Sequence, residues 1–148
     1  MTFVARGPAN HLVVIDGDPQ VGGYGAGPRP MELVLMGLGG CTGMDVVSIL
    51  RKRRIQVEEF RLQIRAERRE DHPKAFRRIE MEYVFRGAGL EGHEKELTDT
   101  VRLSQEKYCS VAASLRPGCE LTYRVTINPP AMAEGEPATG SRSSNLLA

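Results

Sequence analysis

Apolar and polar residues alternate strictly over residues 59–67, and a second alternating run covers residues 78–86. The apolar positions of the first run share one face: Phe60, Leu62, Ile64 and Ala66. Successive side chains of a β-strand point to opposite faces, so each run is typical of a half-exposed strand. A turn region containing Pro73 separates the two runs, and together they predict a long antiparallel hairpin.

Shorter patterns predict the elements on either side of this hairpin. Two β-favouring runs at residues 1–6 and 11–16 flank a turn with a Gly-Pro pair, which predicts a pair of strands. Residues 93–105 carry apolar side chains at helical spacing, and residues 108–115 predict another short helix. Alternation returns at residues 121–127 and predicts a last strand.

A long apolar segment begins at Pro30 and ends in four cationic residues at 51–54. Proline favours the first helical position, and cations favour the negative end of the helix dipole, so one helix is predicted between them. Its apolar residues cover most of the circumference, which indicates a central helix surrounded by protein. Glu32, Asp45 and four glycines interrupt the segment, whereas a membrane span needs about 20 predominantly apolar residues.

The order of these elements clusters the strands instead of alternating them with helices, which predicts an α+β fold with antiparallel sheet. The length of 148 residues is typical of one domain, which we assign to residues 1–127. Residues 128–148 are rich in Pro, Gly, Ser, Ala and Glu, so we expect a disordered tail there. Little else in the chain can cover the central helix, so we expect a homodimer that buries it.

Composition narrows the function classes. The chain has 20 Lys and Arg against 19 Asp and Glu, so it lacks the basic surface that nucleic-acid binding requires. Its N-terminus does not resemble a secretory signal and it has three cysteines, too few for a disulfide scaffold, so we expect a cytoplasmic location and no membrane partner. The spacing of the glycines in the loop at residues 17–30 does not match a phosphate-binding loop.

Cysteine is the candidate nucleophile with the most sequence context. Cys41 lies in the central helix, and Cys109 lies at the start of the second short helix. Each cysteine alone is more typical of a small buried apolar residue, and no Cys/His spacing indicates a zinc site. Spacing does not establish whether these two thiols form a pair.

Three segments resemble the OsmC/Ohr family of osmotically inducible and organic-hydroperoxide-resistance proteins, most of all its YhfA-like branch. They are PMELVLMG at residues 30–37, CTGMDVVSIL at 41–50 and LSQEKYCSVA at 103–112. The resemblance extends over residues 1–127. It implies an intertwined homodimer in which antiparallel sheets wrap around two long buried central helices, with two sites at the interface.

The resemblance also implies a thiol peroxidase that acts on organic hydroperoxides in oxidative-stress defence. Cys41 would become a sulfenic acid, and Cys109 would resolve it to a disulfide. The second thiol protects the first from irreversible overoxidation. An external dithiol, with lipoyl groups as the type implied by the relatives, would reopen the disulfide, so no bound cofactor or metal is expected.

A peroxidatic thiol must be ionised, and a nearby cation favours that state. In the hydroperoxide-resistance branch an arginine of the N-terminal loop, held by a glutamate, has this role. Arg29 and Arg6 are the candidates here, with Arg29 preferred for its place in the loop. Glu32 stands one position later than the family's glutamate and lies close to the opposite helical face from Cys41. Two interpretations of Glu32 therefore stay open: it holds the arginine, or it is only a favourable negative charge at the start of the helix.

These departures leave a second hypothesis open. In this hypothesis the chain forms a non-enzymatic dimer with a degenerate peroxidase site. The dimer is either a redox sensor or a binding protein for a small apolar ligand. Asp45, one turn after Cys41, is expected to be hydrogen-bonded within the core. Cys119 matches no motif of the family and is taken as a bystander.

Overall fold

The computed structural model describes residues 1–130 and 144–147, which fall into two compact units, Met1–Met36 and Gly37–Ala148. The tail predicted over residues 128–148 lies mostly outside the described residues, at 131–143 and 148. The described part of that tail includes a short strand, Ser144–Leu147, which the prediction of disorder did not anticipate. The single domain over residues 1–127 stays a prediction.

The first unit contains the predicted strand pair. Strand β1 (Thr2–Arg6) pairs antiparallel with strand β2 (Leu12–Asp16), so that Thr2 lies opposite Asp16. A short 3₁₀ turn, Pro19–Val21, follows in the glycine-rich loop. Gly27 is required in this loop because a Cβ there would lie 2.5 Å from the carbonyl oxygen of Val14.

The Asp16 carboxylate organises that loop. It accepts backbone N–H groups from Gly17 at 2.8 Å, Tyr24 at 2.8 Å and Ala26 at 3.0 Å. The Thr2 hydroxyl donates to the same carboxylate at 3.3 Å. Hydrogen bonds to the charged form favour it, and the pKa of Asp16 is lowered to about 2, mainly by the Ala26 and Tyr24 N–H groups. A buried carboxylate thus replaces the regular secondary structure that the glycines and prolines preclude.

Helix α1 (Pro30–Arg53) begins at the predicted proline and ends in the predicted cationic residues. Within the second unit its buried positions form one stripe: Leu38, Thr42, Val46 and Leu50. Met44, on another face, is 74% exposed. The sequence predicted a helix surrounded by protein on all sides, but the described residues of one chain bury only part of its circumference.

The sheet of the second unit contains the predicted hairpin. Strands β3 (Glu59–Arg68) and β4 (Phe76–Arg86) pair antiparallel, and β6 (Ser144–Leu147) pairs antiparallel with β3. Strand β5 (Glu120–Ile127) pairs parallel with β4, giving the order β5-β4-β3-β6. The α+β class is confirmed, but this one pairing corrects the expectation of purely antiparallel sheet. A helical crossover returns the chain to the same end of the sheet, which makes a parallel pair possible.

The crossover begins with a 3₁₀ turn, Leu90–His93, and contains the two predicted short helices. Helix α2 (Glu94–Leu103) presents Leu97 and Val101 to the interior, and helix α3 (Ser110–Leu115) follows it. Between them the backbone forms one π-helical turn, Ser104–Tyr108. The sequence pattern predicted the two helices but not the π turn that connects them.

Helix α1 is long and apolar enough to cross a membrane if length and composition alone are considered. Its buried Thr42 hydroxyl, however, lies within hydrogen-bonding distance of Tyr83 on β4 and of Ser104 in the π turn. Such contacts are those of a core helix in a folded domain, as the sequence predicted.

We expect the loop of the first unit to titrate with Asp16. The carboxylate stabilises this loop fully above its unfolded pKa of 3.8, and that stabilisation is lost as the pH falls through about 2. The amide proton shifts of Gly17, Tyr24 and Ala26, followed by NMR, should therefore move together with a midpoint near pH 2. A common midpoint near 3.8 would contradict the hydrogen-bonding role of this carboxylate.

Candidate active site

The fold brings together the two thiols that the resemblance singled out. The Sγ atoms of Cys41 and Cys109 and a carboxylate oxygen of Asp45 all lie within 4.8 Å of one another. Cys41 and Asp45 are one turn apart on α1, so they share a helical face. Cys109 directly precedes α3, so the sequence separation between the thiols is bridged by the crossover of helices.

The π-helical turn determines where Cys109 points. The Cys109 N–H donates to the Ser104 carbonyl oxygen at 2.8 Å, which closes the wide turn, and the backbone of Cys109 is then extended. Its Sγ atom caps α3 by accepting the Ala112 N–H at 3.4 Å. Insertions of this kind recur at functional sites because they redirect side chains within a helical segment.

The two thiols differ in their surroundings. Cys109 is 2% exposed, whereas Cys41 is only partly buried. Burial raises the pKa of Cys109 to about 11, the Ala112 N–H partly opposes this shift, and the neighbouring Cys41 adds to it. At neutral pH the Cys109 thiol is therefore protonated, which makes it a poor first nucleophile.

The third cysteine lies outside this group. Cys119 is buried, and its thiol donates a weak hydrogen bond to the Glu120 carbonyl oxygen at 3.6 Å. Burial raises its pKa as well. No contact links Cys119 to Cys41 or Cys109 among the hydrogen bonds of the described residues, which agrees with its interpretation as a bystander.

A buried chain of hydrogen bonds supports the site and was not predicted from the sequence. The Thr42 hydroxyl lies 2.7 Å from the Tyr83 hydroxyl and 2.8 Å from the Ser104 hydroxyl. The Gln105 amide nitrogen donates to Tyr83 at 2.7 Å and to Thr42 at 3.1 Å. Ser104 in turn donates to the Asp45 carboxylate at 3.0 Å. These contacts join α1, β4 and the π turn.

The direction of these bonds follows from counting hydrogens. A hydroxyl has one hydrogen, and Ser104 donates its own to Asp45, so Thr42 donates to Ser104. Thr42 then accepts from Tyr83, whose phenol is kept protonated because burial raises its pKa. The hydroxyls of Tyr83, Thr42 and Ser104 therefore donate in sequence, and the last of them donates to the Asp45 carboxylate. In the described part of the protein, the Gln105 Oε1 atom is buried without a hydrogen-bond donor.

Arg29 and Glu32, the other predicted site residues, form a pair in the first unit. The Arg29 Nε atom lies 3.0 Å from a Glu32 carboxylate oxygen, and the Arg29 backbone N–H donates to the other oxygen at 2.8 Å. The Arg29 guanidinium also contacts Asp18 at 2.6 Å. Glu32 therefore both holds the arginine and satisfies a backbone donor at the start of α1. Arg6 has no carboxylate partner among the described residues.

Residues 23–124 of this chain match the family model for OsmC-like proteins. The chain belongs to the OsmC-like family. Protein YhfA of Escherichia coli is 37% identical to it over 123 residues, which cover 83% of this chain and 87% of YhfA. The matched range includes Arg29, Glu32, Cys41 and Cys109, whereas Arg6 precedes it.

Solved OsmC-like structures agree with this fold. A hypothetical protein from Aquifex aeolicus is 35% identical, with a TM-score of 0.69 and coverage of 86% of this chain and 89% of the other. An organic hydroperoxide resistance protein OsmC from Legionella pneumophila is 15% identical, with a TM-score of 0.60 and coverage of 85% and 95%. At that identity the second likeness shows the fold alone.

We expect Thr42→Val to destabilise this OsmC-like protein. The change keeps the shape of the side chain but removes the hydroxyl that Tyr83, Ser104 and Gln105 share. A buried polar group left without a partner costs about 1 to 3 kcal/mol, so the free energy of unfolding in urea should fall by about that amount.

Thr100→Val is the matched control for this measurement. Thr100 is equally buried, but its hydroxyl makes one bond within its own helix, to the Glu96 carbonyl oxygen at 2.7 Å. Its replacement should cost clearly less. Equal losses for the two variants would show that the chain through Thr42 contributes nothing beyond one ordinary hydrogen bond.

Proposed function

We propose that this OsmC-like protein is a thiol peroxidase that reduces organic hydroperoxides in oxidative-stress defence. The observation that carries the proposal is the approach of the Cys41 and Cys109 sulfur atoms to within 4.8 Å. Membership of the OsmC-like family agrees with this chemistry, because a Legionella pneumophila protein of the same fold is called an organic hydroperoxide resistance protein.

Cys41 is the residue that attacks the peroxide in this proposal, because it is the more exposed of the two thiols. Its thiolate sulfur forms a bond to the terminal peroxide oxygen while the O–O bond breaks. The alkoxide leaves with the other oxygen and takes a proton to become an alcohol. The sulfur is oxidised to a sulfenic acid, and the peroxide is reduced.

Cys109 completes the cycle by attacking the sulfenic sulfur of Cys41. A disulfide forms and water leaves, carrying the sulfenic oxygen and the thiol proton. The sulfur atoms need only move from within 4.8 Å to a bond of about 2.05 Å. The Ala112 N–H that contacts Cys109 opposes the rise in its pKa that burial causes, and it thereby favours the thiolate needed for this step.

An external dithiol, of which lipoyl groups are the proposed type, then reduces the disulfide and becomes a disulfide itself. A reducing compartment sustains this step, so we propose a cytoplasmic location. We further propose that Arg29 is the cation that activates Cys41 and that Glu32 positions it, because Glu32 contacts both the side chain and the backbone of Arg29.

We also propose that the working protein is a homodimer. Strands β1 and β2 leave Phe3, Val4 and Leu12 exposed, and α1 leaves Met44 exposed. Exposed apolar side chains on several elements are typical of surfaces that another chain covers. In the dimer implied by the resemblance, a second copy covers the faces of α1 that one chain leaves open.

We expect sedimentation to give twice the 16.3 kDa chain mass, because burial of these apolar side chains stabilises the pair. Met44→Lys should shift the equilibrium toward monomer, since it places a charge on the proposed interface. Lys52→Met, a change of the same size on the exposed end of α1, is the control. A stable wild-type monomer at micromolar concentration would contradict the dimer.

We expect serine variants of the three cysteines to differ in activity in a peroxidase assay with cumene hydroperoxide and dihydrolipoamide. Cys41→Ser should reduce peroxide consumption to the uncatalysed rate, because no other partly exposed thiol lies in the cluster. Cys109→Ser should stop at the Cys41 sulfenic acid, which a second equivalent of peroxide oxidises to a sulfinic acid that mass spectrometry detects. Cys119→Ser should retain wild-type turnover.

Wild-type turnover by Cys41→Ser would exclude the proposed mechanism. Negligible turnover by the wild-type chain, together with saturable binding of an apolar ligand, would instead support the non-enzymatic binding protein. Reversible oxidation of the thiol pair without turnover would support the redox sensor.

A further inference from the structure

Cys41, Cys109 and Asp45 lie close together, but the proposed peroxidase cycle uses only the two cysteines. Disulfide formation needs the two sulfur atoms only. The Asp45 carboxylate takes part neither in the attack on the peroxide nor in the formation of the disulfide. Two sulfur donors and one carboxylate oxygen are, however, ligands that a Zn²⁺ ion takes in proteins.

The distances within the group fit such an ion. Zinc binds cysteine sulfur at about 2.3 Å and carboxylate oxygen at about 2.0–2.2 Å. Tetrahedral geometry with these bonds places the two sulfur atoms about 3.8 Å apart. The three ligand atoms already lie within 4.8 Å of one another, so movements of about 1 Å or less close the site. The fourth position remains for a small ligand.

The scaffold holds two of the ligands in fixed relation. Cys41 and Asp45 are separated by one turn of the long helix α1, which fixes the spacing of their backbone positions. Cys109 is held at the end of the π turn by its N–H bond to Ser104 and by its contact with Ala112. Only modest side-chain rotation is then needed to bring the sulfur of Cys109 into a common site.

The buried hydrogen-bond chain is the independent observation that points to a cation. Thr42 and Ser104 donate in sequence toward one oxygen of Asp45, and among the described residues no protein donor contacts its other oxygen. Carboxylates that bind metal ions are characteristically held in position by such supporting hydrogen bonds. The chain therefore orients Asp45 with one oxygen left for a positively charged partner that lies beside the thiols.

We propose that the reduced thiol pair and Asp45 bind a thiophilic divalent cation of the Zn²⁺ class. On binding, the ion forms bonds to both sulfur atoms and to the carboxylate oxygen, and the two thiol protons leave to solvent. The three ligands and the ion together then carry one negative charge. The disulfide form lacks both thiolate ligands, so it does not bind the ion.

A regulatory consequence rests on the proposed peroxidase function. The bound ion occupies the sulfur lone pairs that attack a peroxide, so metal binding and peroxide reduction exclude one another at this site. Free thiophilic cation would then hold the protein in its reduced, inactive form until the ion is withdrawn.

The direct test is titration of the full-length, reduced chain with Co²⁺ under anaerobic conditions, in a buffer without added thiols. Thiolate-bound tetrahedral Co²⁺ gives charge-transfer and intense visible bands. We expect these bands to saturate at one ion per chain and to disappear when Zn²⁺ is added. Chain first oxidised to the disulfide should show no bands, which tests the site without any substitution.

Variants then identify the ligands. Cys41→Ser and Cys109→Ser should lose the charge-transfer intensity, whereas Cys119→Ser, which removes the thiol outside the group, should retain it. Loss of a group that merely supports a ligand costs about 10- to 100-fold in metal affinity, so Asp45→Asn should weaken binding at least that much. Far-UV circular dichroism of each variant establishes that it is folded.

The outcomes separate the metal site from the peroxidase. Absence of the bands in the reduced wild-type chain, or unchanged affinity in folded Asp45→Asn, would overturn the metal site even if the metal-free protein turns over peroxide. Bands without peroxide turnover would overturn the peroxidase and leave the metal site standing. Finally, Zn²⁺ added before cumene hydroperoxide should protect Cys41 from oxidation, and unchanged oxidation would overturn the mutual exclusion.

Discussion

The shared hydroxyl of Thr42 is the contact on which the thiol site depends. It lies on α1 and is hydrogen-bonded at once to Tyr83 of β4 and to Ser104 of the π turn. All of these groups are buried, so each would be costly without its partner, and the three elements are held in one relative position. Cys41, on the same helix, and Cys109, at the end of the same turn, are brought together as a result.

Local patterns predicted most of the fold. The alternation over residues 59–67 and 78–86 and the capped apolar segment starting at Pro30 specify their elements through side-chain periodicity alone, and the structure contains those elements. The direction of β5 was not predictable in this way, because parallel pairing with β4 depends on the crossover and not on the strand's own residues. The π turn was missed because it lies at the junction of the two predicted helices, where too few residues remain to define a period.

The site was predictable only in part. Motif resemblance singled out Cys41 and Cys109, but their spacing in the sequence contains no information on their distance in the fold. Thr42, Ser104 and Gln105 gave a weak signal as polar residues at positions that helical periodicity assigns to the interior. Their meaning depends on Tyr83, which reaches them from a strand, and no pattern in one segment can specify such a tertiary partner.

The same tertiary chain gives the thiol pair two competing fates. It orients the Asp45 carboxylate beside Cys41 and Cys109, and these three groups are the ligands proposed for a cation. The proposed peroxidase needs a positive charge that compensates the negative charge of the Cys41 thiolate, and Arg29 is the proposed source. If the compensating charge is instead a metal ion, the sulfur lone pairs are occupied and catalysis stops. Under these two proposals, the identity of the cation decides whether this arrangement reduces peroxides or binds a metal ion.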